Sequence, residues 1–295
     1  MKRYICHDLA REVQIEADSA GGPDVYPRLL REIKGAPERL RFCGDLSVAE
    51  RPCFAIVGMR RATARGEALA FQIAKEMSQR GVCIVSGLAY GIDAAAHRGA
   101  LEGCGGTIAV LAQGLPEIRP PRHRHLAEEI VAAGGAVICE KEFGSPFFKT
   151  DYLVRNRLIS GLSHGVLVVE AAHKSGAKNT VSHALTQGRE TFAIPGRVTD
   201  VSSGGTNSLI AGGAQLVTCT KDIFAHLGWT WKRAENMQLN GYQKEVYEIL
   251  KRGPRSAAEL GECFDGRLRQ LYQAVGELEL QGFILRGKDL RYVAC

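Results

Sequence analysis

Between residues 53 and 220 one pattern recurs: a short apolar run rich in β-branched residues leads into a glycine-containing turn and then into an amphipathic stretch. This alternation is typical of α/β proteins, in which helices connect the strands of a sheet. Because the apolar runs are nearly continuous, we expect strands buried on both faces of a mostly parallel sheet. Seven strands are predicted, at residues 53–57, 82–85, 106–111, 136–139, 165–170, 191–194 and 215–218.

The segments between these strands have helical periodicity. Residues 66–80 place Leu69, Ile73 and Met77 on one face, and residues 126–133 and 152–162 have similar patterns. We therefore predict an extended Rossmann-like sheet with helices on both sides. In such folds the ligand crevice lies outside the carboxyl ends of the strands, so the loops that follow the strands are the candidate functional segments.

A chain of 295 residues is long enough for one large domain and a smaller one. After residue 241 the pattern is three helices and a hairpin, with a capping-box sequence at 256–259, and this order predicts a winged helix. Winged helices bind DNA or contact proteins, and both roles stay open here. The predicted organisation is an N-terminal extension at 1–24, a Rossmann-like domain at 25–230, a linker at 231–240 and a winged-helix domain at 241–295.

Composition adds a few constraints on function. The net charge of +6 and the pI near 8.8 suit a polyanionic partner, although many proteins without one are equally basic. The first ten residues contain neither a secretory apolar region nor a membrane span, so we predict a cytoplasmic protein with no membrane partner. The sequence contains no metal constellation, nucleophile–base pair or Walker lysine, and we expect no catalytic residue, metal or cofactor.

The first candidate loop, VGMRRAT at residues 57–63, lies where the first predicted strand ends. The small residue Gly58 lets backbone N–H groups approach an anion at the start of the next helix. Arg60 or Arg61 would add a charge-assisted contact to a phosphate. The alternative is a tight turn with two solvated arginines, and the motif alone does not decide between them.

The second candidate loop, SGLAYGIDAAAH at residues 86–97, follows the second predicted strand. Ser86 and Gly87 could lie close to a ligand. The loop lacks the full G-x-G-x-x-G pattern, so a dinucleotide site is not supported. For His97, an orienting, hydrogen-bonded role is favoured over a catalytic one.

The third candidate segment, at residues 149–162, begins a helix with basic, aromatic and amide side chains. Lys149, Tyr152 and Arg155 have the composition of a groove that follows phosphates and stacks a base. Asn156 and Arg157 could instead bond neighbouring loops. Glycine and hydroxyl groups also follow the fifth strand, and the candidates there are Lys174, Ser175, Gly176 and Thr180.

Taken together, the segments VGMR at 57–60, SGLAYGIDAAAH at 86–97, RNRLISGL at 155–162 and VEA at 169–171 resemble the DprA/Smf family. The resemblance spans roughly residues 25–295. It implies an extended Rossmann fold that forms a homodimer and binds single-stranded DNA. It further implies protection of that DNA during natural transformation and help in loading the RecA recombinase.

The resemblance also assigns individual residues. Arg60 matches the family's phosphate-binding arginine, Lys149 matches the basic residue of its DNA groove, and Tyr152 occupies the position of an aromatic residue that contacts a base. The family's N-terminal helical domain is expected to be missing or reduced to the first two dozen residues. The loop at 118–124 reads IRPPRHR where the family favours a tyrosine and an asparagine, which makes this rim more basic.

Two other functions compete with DNA binding. Related Rossmann-like folds include phosphoribohydrolases that act on nucleotides with a carboxylate and an arginine, and Glu170 could be that acid. Their PGGxGTxxE signature is absent, because the glycine-rich segment at 203–207 is not followed by the glutamate. A module that senses nucleotides and signals through its winged helix is the other alternative.

Overall fold

The structure is a computed structural model that describes residues 11–14, 26–142, 144–231, 241–251, 253–264, 268–280, 284–286 and 291–294. The chain divides into two compact units, Met1–Ala234 and Glu235–Cys295. Most of the predicted linker and of the predicted N-terminal extension lies outside the described residues.

The first unit is built on a nine-stranded, mostly parallel sheet, which confirms the predicted fold class. The strands are β1 (Arg11–Gln14), β2 (Arg39–Gly44), β3 (Cys53–Val57), β4 (Cys83–Ser86), β5 (Thr107–Leu111), β6 (Ala136–Cys139), β7 (Gly165–Val168), β8 (Glu190–Ala193) and β9 (Gln215–Leu216). Their order across the sheet is β1-β2-β6-β5-β4-β3-β7-β8-β9. All seven predicted strands are present, with ends shifted by up to two residues, whereas β1 and β2 were not predicted.

Helices cover both faces of this sheet. They are α1 (Arg28–Arg31), α2 (Ala64–Ser78), α3 (Ile92–Leu101), α4 (Arg124–Ala132), α5 (Asp151–Gly161), α6 (Ala177–Thr186), α7 (Gly204–Ala211) and α8 (Thr220–His226). The side chains of β3 alternate between the two layers: Ala55 and Val57 pack in the core with α5 and α6, and Phe54 and Ile56 pack in the core with α2 and α3. This double burial explains why the strand is apolar throughout.

Strand β3 lies where the order of the sheet reverses. From β3 the chain adds β4, β5 and β6 in turn on one side, and then returns to add β7, β8 and β9 on the other. Beyond β6, the strands β1 and β2 extend the sheet as antiparallel neighbours. Ligands of open α/β sheets bind at such a reversal, outside the carboxyl ends of the strands, and here those are the ends of β3 and its neighbours.

The described residues of the second unit form three helices and a two-stranded antiparallel sheet. Its elements are α9 (Gly241–Lys251), α10 (Ala257–Cys263), α11 (Leu268–Leu280), β10 (Ile284–Arg286) and β11 (Tyr292–Ala294). The predicted capping box is formed between Ser256 and Glu259. These elements follow the predicted order, and the assignment of a winged helix stays a prediction. In neither unit is a described helix both long enough and apolar enough to cross a membrane.

Candidate nucleic-acid interface

A cavity of about 430 Å³ opens at the carboxyl ends of β3 and β7. Four chain segments form its wall: the loop after β3, the loop after β4 with the first turn of α3, residues of α5, and the segment that leads into α6 with its first turn. Ten of the predicted site residues line it: Gly58, Arg60, Arg61, Tyr152, Arg155, Asn156, Lys174, Ser175, Gly176 and Thr180. The volume falls in the range of about 300–1,000 Å³ that is typical of ligand sites.

The loop between β3 and α2 is held in place by Glu170, which follows β7. Its carboxylate accepts hydrogen bonds from Thr63 N at 2.9 Å and Thr63 Oγ1 at 2.5 Å, and Thr63 in turn accepts from Gly66 N at 3.0 Å as the N-cap of α2. A methyl group on Gly58 would lie 2.6 Å from the side chain of Ile92. The loop is therefore tightly constrained at both ends, and the two arginines between them lie at the mouth of the cavity.

Arg60 and Tyr152 meet at that mouth although they come from different elements. The guanidinium carbon of Arg60 lies 4.4 Å from the centroid of the Tyr152 ring, within the range of a cation–π contact. The Tyr152 ring also packs edge-on against Phe147, with the centroids 5.2 Å apart. Arg60 is exposed and Tyr152 is half-buried. The pair thus places a cation beside an aromatic ring, which suits a phosphate with its neighbouring base.

Arg155 forms part of the buried base of the cavity. Its Nη1 donates to the carbonyl oxygens of Gly87, at 2.8 Å, and Val110, and its Nε donates to Asn156 Oδ1 at 3.3 Å. Burial lowers the pKa of Arg155 to about 10, so the side chain stays charged at neutral pH. Because its donors engage the main chain, Arg155 joins the loop after β4 and strand β5 to α5.

Asp93 is a cavity residue that was not among the predicted site residues. Its Oδ2 accepts hydrogen bonds from Gly87 N at 3.1 Å and Ala89 N at 3.4 Å. Burial raises the pKa of the Asp93 carboxyl, and the charge of Arg155 opposes that rise. Asp93 lies in the first turn of α3, and only the folded chain shows that it lines the cavity.

The segment after β7 supplies small and polar groups to the opposite wall. Ser175 Oγ accepts from Ala177 N at 3.3 Å at the start of α6. A methyl group on Gly176 would meet no atom within 4 Å, so this part of the wall is open. Lys174 and Thr180 complete the wall, which combines a cation, hydroxyl groups and the amino end of a helix.

Four predicted site residues do not line the cavity: Ser86, Gly87, Lys149 and Arg157. The Ser86 hydroxyl is buried and donates to Ile56 O at 2.6 Å. Arg157 forms an ion pair with Glu140 at 2.5 Å, as in the alternative of a side chain that bonds a neighbouring loop. Lys149 is exposed and precedes α5, outside the cavity wall. Their roles as DNA contacts stay predictions.

His97 is fully buried, and its contacts match an orienting role. Its Nδ1 lies 2.8 Å from Thr107 Oγ1, and that hydroxyl donates to Ile84 O at 2.6 Å, so the histidine is the donor in the first contact. Burial lowers the pKa of His97 to about 3. The side chain is therefore neutral at physiological pH and links α3 to β5.

The chain is similar to known proteins over most of its length. The sequence profile described as DNA recombination-mediator protein A matches residues 21–228. Protein Smf of Escherichia coli strain K12 is 42% identical over 252 residues, which cover 84% of this chain and 66% of the relative. The chain thus spans just under two thirds of that relative's length.

Two solved structures share the fold. DNA processing protein A from Streptococcus pneumoniae is 36% identical, with a TM-score of 0.66 and 73% of each chain covered. DNA processing protein A from Helicobacter pylori is 28% identical, with a TM-score of 0.65, and 75% of this chain and 96% of that chain are covered. The latter structure is described as giving insight into a unique single-stranded DNA binding mode.

Proposed function

This chain belongs to the DNA recombination-mediator protein A family, the DprA/Smf family, and we propose that it binds single-stranded DNA at the cavity beside β3 and β7. Membership confirms the resemblance found in the sequence motifs. The H. pylori relative, whose described subject is single-stranded DNA binding, supports the same ligand for this chain.

The observation that carries the proposal is the meeting of Arg60 with Tyr152 at the mouth of the cavity. In this arrangement Arg60 contacts a backbone phosphate, and the ring of Tyr152 stacks against the attached base. Arg61 and Lys174, on two sides of the same cavity, supply further charge for neighbouring phosphates. The phosphates of the DNA backbone would neutralise these positive charges.

The same geometry favours an unpaired strand over a duplex. A base inside a duplex is stacked between its neighbours, so its face reaches Tyr152 only after it leaves the stack, which costs a few kcal/mol. In a single strand the face is already available, and stacking on an aromatic side chain contributes about 1–3 kcal/mol per base.

The test is fluorescence anisotropy with labelled dT oligomers and a duplex of the same length, measured over a series of salt concentrations. We expect the oligomer to bind more tightly, with a log–log salt slope near −0.7 per phosphate contact. Arg60→Ala should reduce the slope by about one such step, and Tyr152→Ala should weaken binding by about 1–3 kcal/mol.

Arg28→Ala is the matched control, because Arg28 is a highly exposed arginine on α1, outside the cavity wall. If the Arg60 and Tyr152 variants bind as well as this control does, the assignment of the site is refuted. Failure of the wild-type chain to bind the oligomer would refute the function itself.

The wider biological role is part of the same proposal. The protein protects incoming single-stranded DNA during natural transformation and helps to load RecA, acts as a cytoplasmic homodimer, and needs neither a cofactor nor catalysis. Mass photometry with and without an oligonucleotide tests the homodimer, and the rate of RecA filament formation on coated DNA tests the loading. A monomer at all concentrations, or no gain in filament formation, would contradict these parts separately.

Hydrolysis of nucleotides is less well supported by the site. The carboxylate of Glu170, the candidate acid, is bonded to Thr63 and does not line the cavity. A panel of nucleotides incubated with the protein should therefore release no free base. Release of base that is lost in Glu170→Gln would favour the enzyme instead.

A further inference from the structure

The rim of the cavity continues onto an exposed aromatic side chain. Ala89 lines the cavity, and the next residue, Tyr90, is 42% exposed. The Tyr90 ring packs edge-on against the imidazole of His123, with centroids 4.8 Å apart and planes at 69°. His123 is itself buried, with its Nδ1 2.8 Å from Leu88 O. The exposed ring of Tyr90 is thus held in place by the buried imidazole of His123.

The loop that carries Tyr90 is fixed against the loop that carries Arg60. Gly91 has a φ of +73°, and a methyl group there would lie 2.3 Å from Met59 O and 2.9 Å from Arg60 O. The backbone N–H of Ile92 donates to Met59 O at 3.3 Å. Only glycine tolerates this approach, and as a result Tyr90 has a defined position beside the mouth of the cavity.

A positively charged residue comes directly before His123, the residue that Tyr90 packs against. Arg122 is exposed and directly precedes His123 in the 3₁₀ turn Pro121–His123. Within the described ranges no ion pair involves Arg122. The rim therefore carries a second aromatic side chain, Tyr90, and a further cation, Arg122, in two segments that meet at His123.

We infer that Tyr90 is a second stacking platform, which binds the base of a neighbouring nucleotide while Arg122 contacts its phosphate. The inference rests on the proposed function and extends it to a contact of at least two nucleotides. The loops of Arg60 and Tyr90 leave the adjacent strands β3 and β4, and adjacent strands lie about 4.8 Å apart. Because the two loops are neighbours on the rim, neighbouring nucleotides of one strand can contact both of them.

A purely structural role for Tyr90 would be to cover His123. The two roles make different demands on the ring: cover requires only bulk, whereas stacking requires an exposed aromatic face. An exposed fraction of 42% leaves such a face available to a base. Substitutions that keep bulk, aromaticity or neither can therefore separate the two roles.

The experiment uses the full chain and dT oligomers with a single 2-aminopurine placed at successive positions. In the wild-type protein we expect two positions with stacking-dependent fluorescence changes, one lost in Tyr152→Ala and the other in Tyr90→Ala. Tyr90→Ala and Tyr90→Leu should weaken binding about 5- to 10-fold, the lower part of the range for loss of one stacked base. Tyr90→Phe should bind within about twofold of wild type, because it keeps the ring.

Leu185→Ala is the control, since Leu185 is an exposed apolar side chain near the end of α6, beside the amino ends of β8 and β9 and outside the cavity wall. Arg122→Ala should reduce the salt slope by about 0.7. Unchanged affinity and an unchanged 2-aminopurine pattern in Tyr90→Ala would overturn the inference and leave the proposed function intact. An equal loss in Tyr90→Phe would also overturn it, whereas a wild-type protein that binds no oligomer would refute both.

Discussion

Replacing Arg155 with methionine should destabilise the first unit much more than replacing an exposed arginine. Its guanidinium is buried and donates to two main-chain carbonyl oxygens, those of Gly87 and Val110. Methionine fills similar space but has no donor, so both carbonyl groups lose a charge-assisted hydrogen bond. The buried carboxyl of Asp93 also loses a neighbouring positive charge.

The size of the effect follows from these contacts. Hydrogen bonds to charged groups contribute about 1.5–3 kcal/mol each, and breaking a buried charge interaction by removing one partner costs about 3–5 kcal/mol. Because the same groups are counted in both figures, we expect a total loss of about 3–5 kcal/mol. For a unit of this size, about 2–4 °C of Tm accompanies each kcal/mol, so the Tm should fall by about 6–20 °C.

Thermal unfolding followed by circular dichroism or calorimetry measures this loss. Arg61→Met is the matched control, because Arg61 is exposed and its replacement should change stability by no more than about 0.5 kcal/mol. Arg155→Lys should be intermediate, since a single ammonium group cannot reproduce the planar guanidinium fork. If Arg155→Met lowers the Tm by no more than the Arg61 control does, the buried hydrogen bonds do not stabilise this unit as argued.

Three further predictions follow from other contacts. In Gly66→Ala the new methyl group would lie 2.4 Å from Glu170 Cδ, so we expect both a lower Tm and weaker oligonucleotide binding, measured by calorimetry and anisotropy. The ion pair with Lys141 lowers the pKa of Asp151 in the folded protein. The stability that this ion pair contributes is therefore fully present above the unfolded pKa of about 3.9, and it is lost as the pH falls through the lower pKa of the folded protein. The Tm difference between wild type and Asp151→Asn should therefore be steady from about pH 8 to 5 and shrink towards pH 2. Burial lowers the pKa of His97 to about 3, so the unfolded chain gains a proton below about pH 6.5 before the folded chain does. His97→Gln should consequently lose less stability than wild type as the pH falls from about 6.5 to 3, in a series of Tm measurements.

The parallel strands could be predicted because their environment is uniform. Every residue of β3 to β7 is buried, so each strand is a compact apolar run in the sequence. Strand β2 differs: its sequence RLRFCG alternates between exposed and buried positions at its start. It contains too few apolar residues in succession to be separated from a loop, and its place in the sheet depends on pairing with β6, far along the chain.

Helix α7 was missed for a different reason. It begins with Gly204 and Gly205, which indicate a loop when the sequence is read alone. In the structure, a methyl group on Gly204 would lie 2.7 Å from the imidazole of His173, and one on Gly205 would lie 2.4 Å from Ala172 O. The two glycines are thus needed for the close approach of α7 to the segment after β7, and that approach is a tertiary property without a local signal.

The candidate site shows the same division between local and tertiary information. Composition identified α5 as a basic and aromatic helix, but helical geometry separates its side chains: residues three or four apart share a face, whereas residues two apart do not. Tyr152 and Arg155 therefore lie at the cavity, and Arg157 turns to Glu140 at the end of β6. One helix cannot by itself supply the charge of a binding channel, and the remaining cations at the cavity come from the loops after β3 and β7. Because these loops are brought to α5 only by the folded sheet, the interface exists as a unit only when the sheet is formed, and variants that destabilise the sheet should lose DNA binding together with their fold.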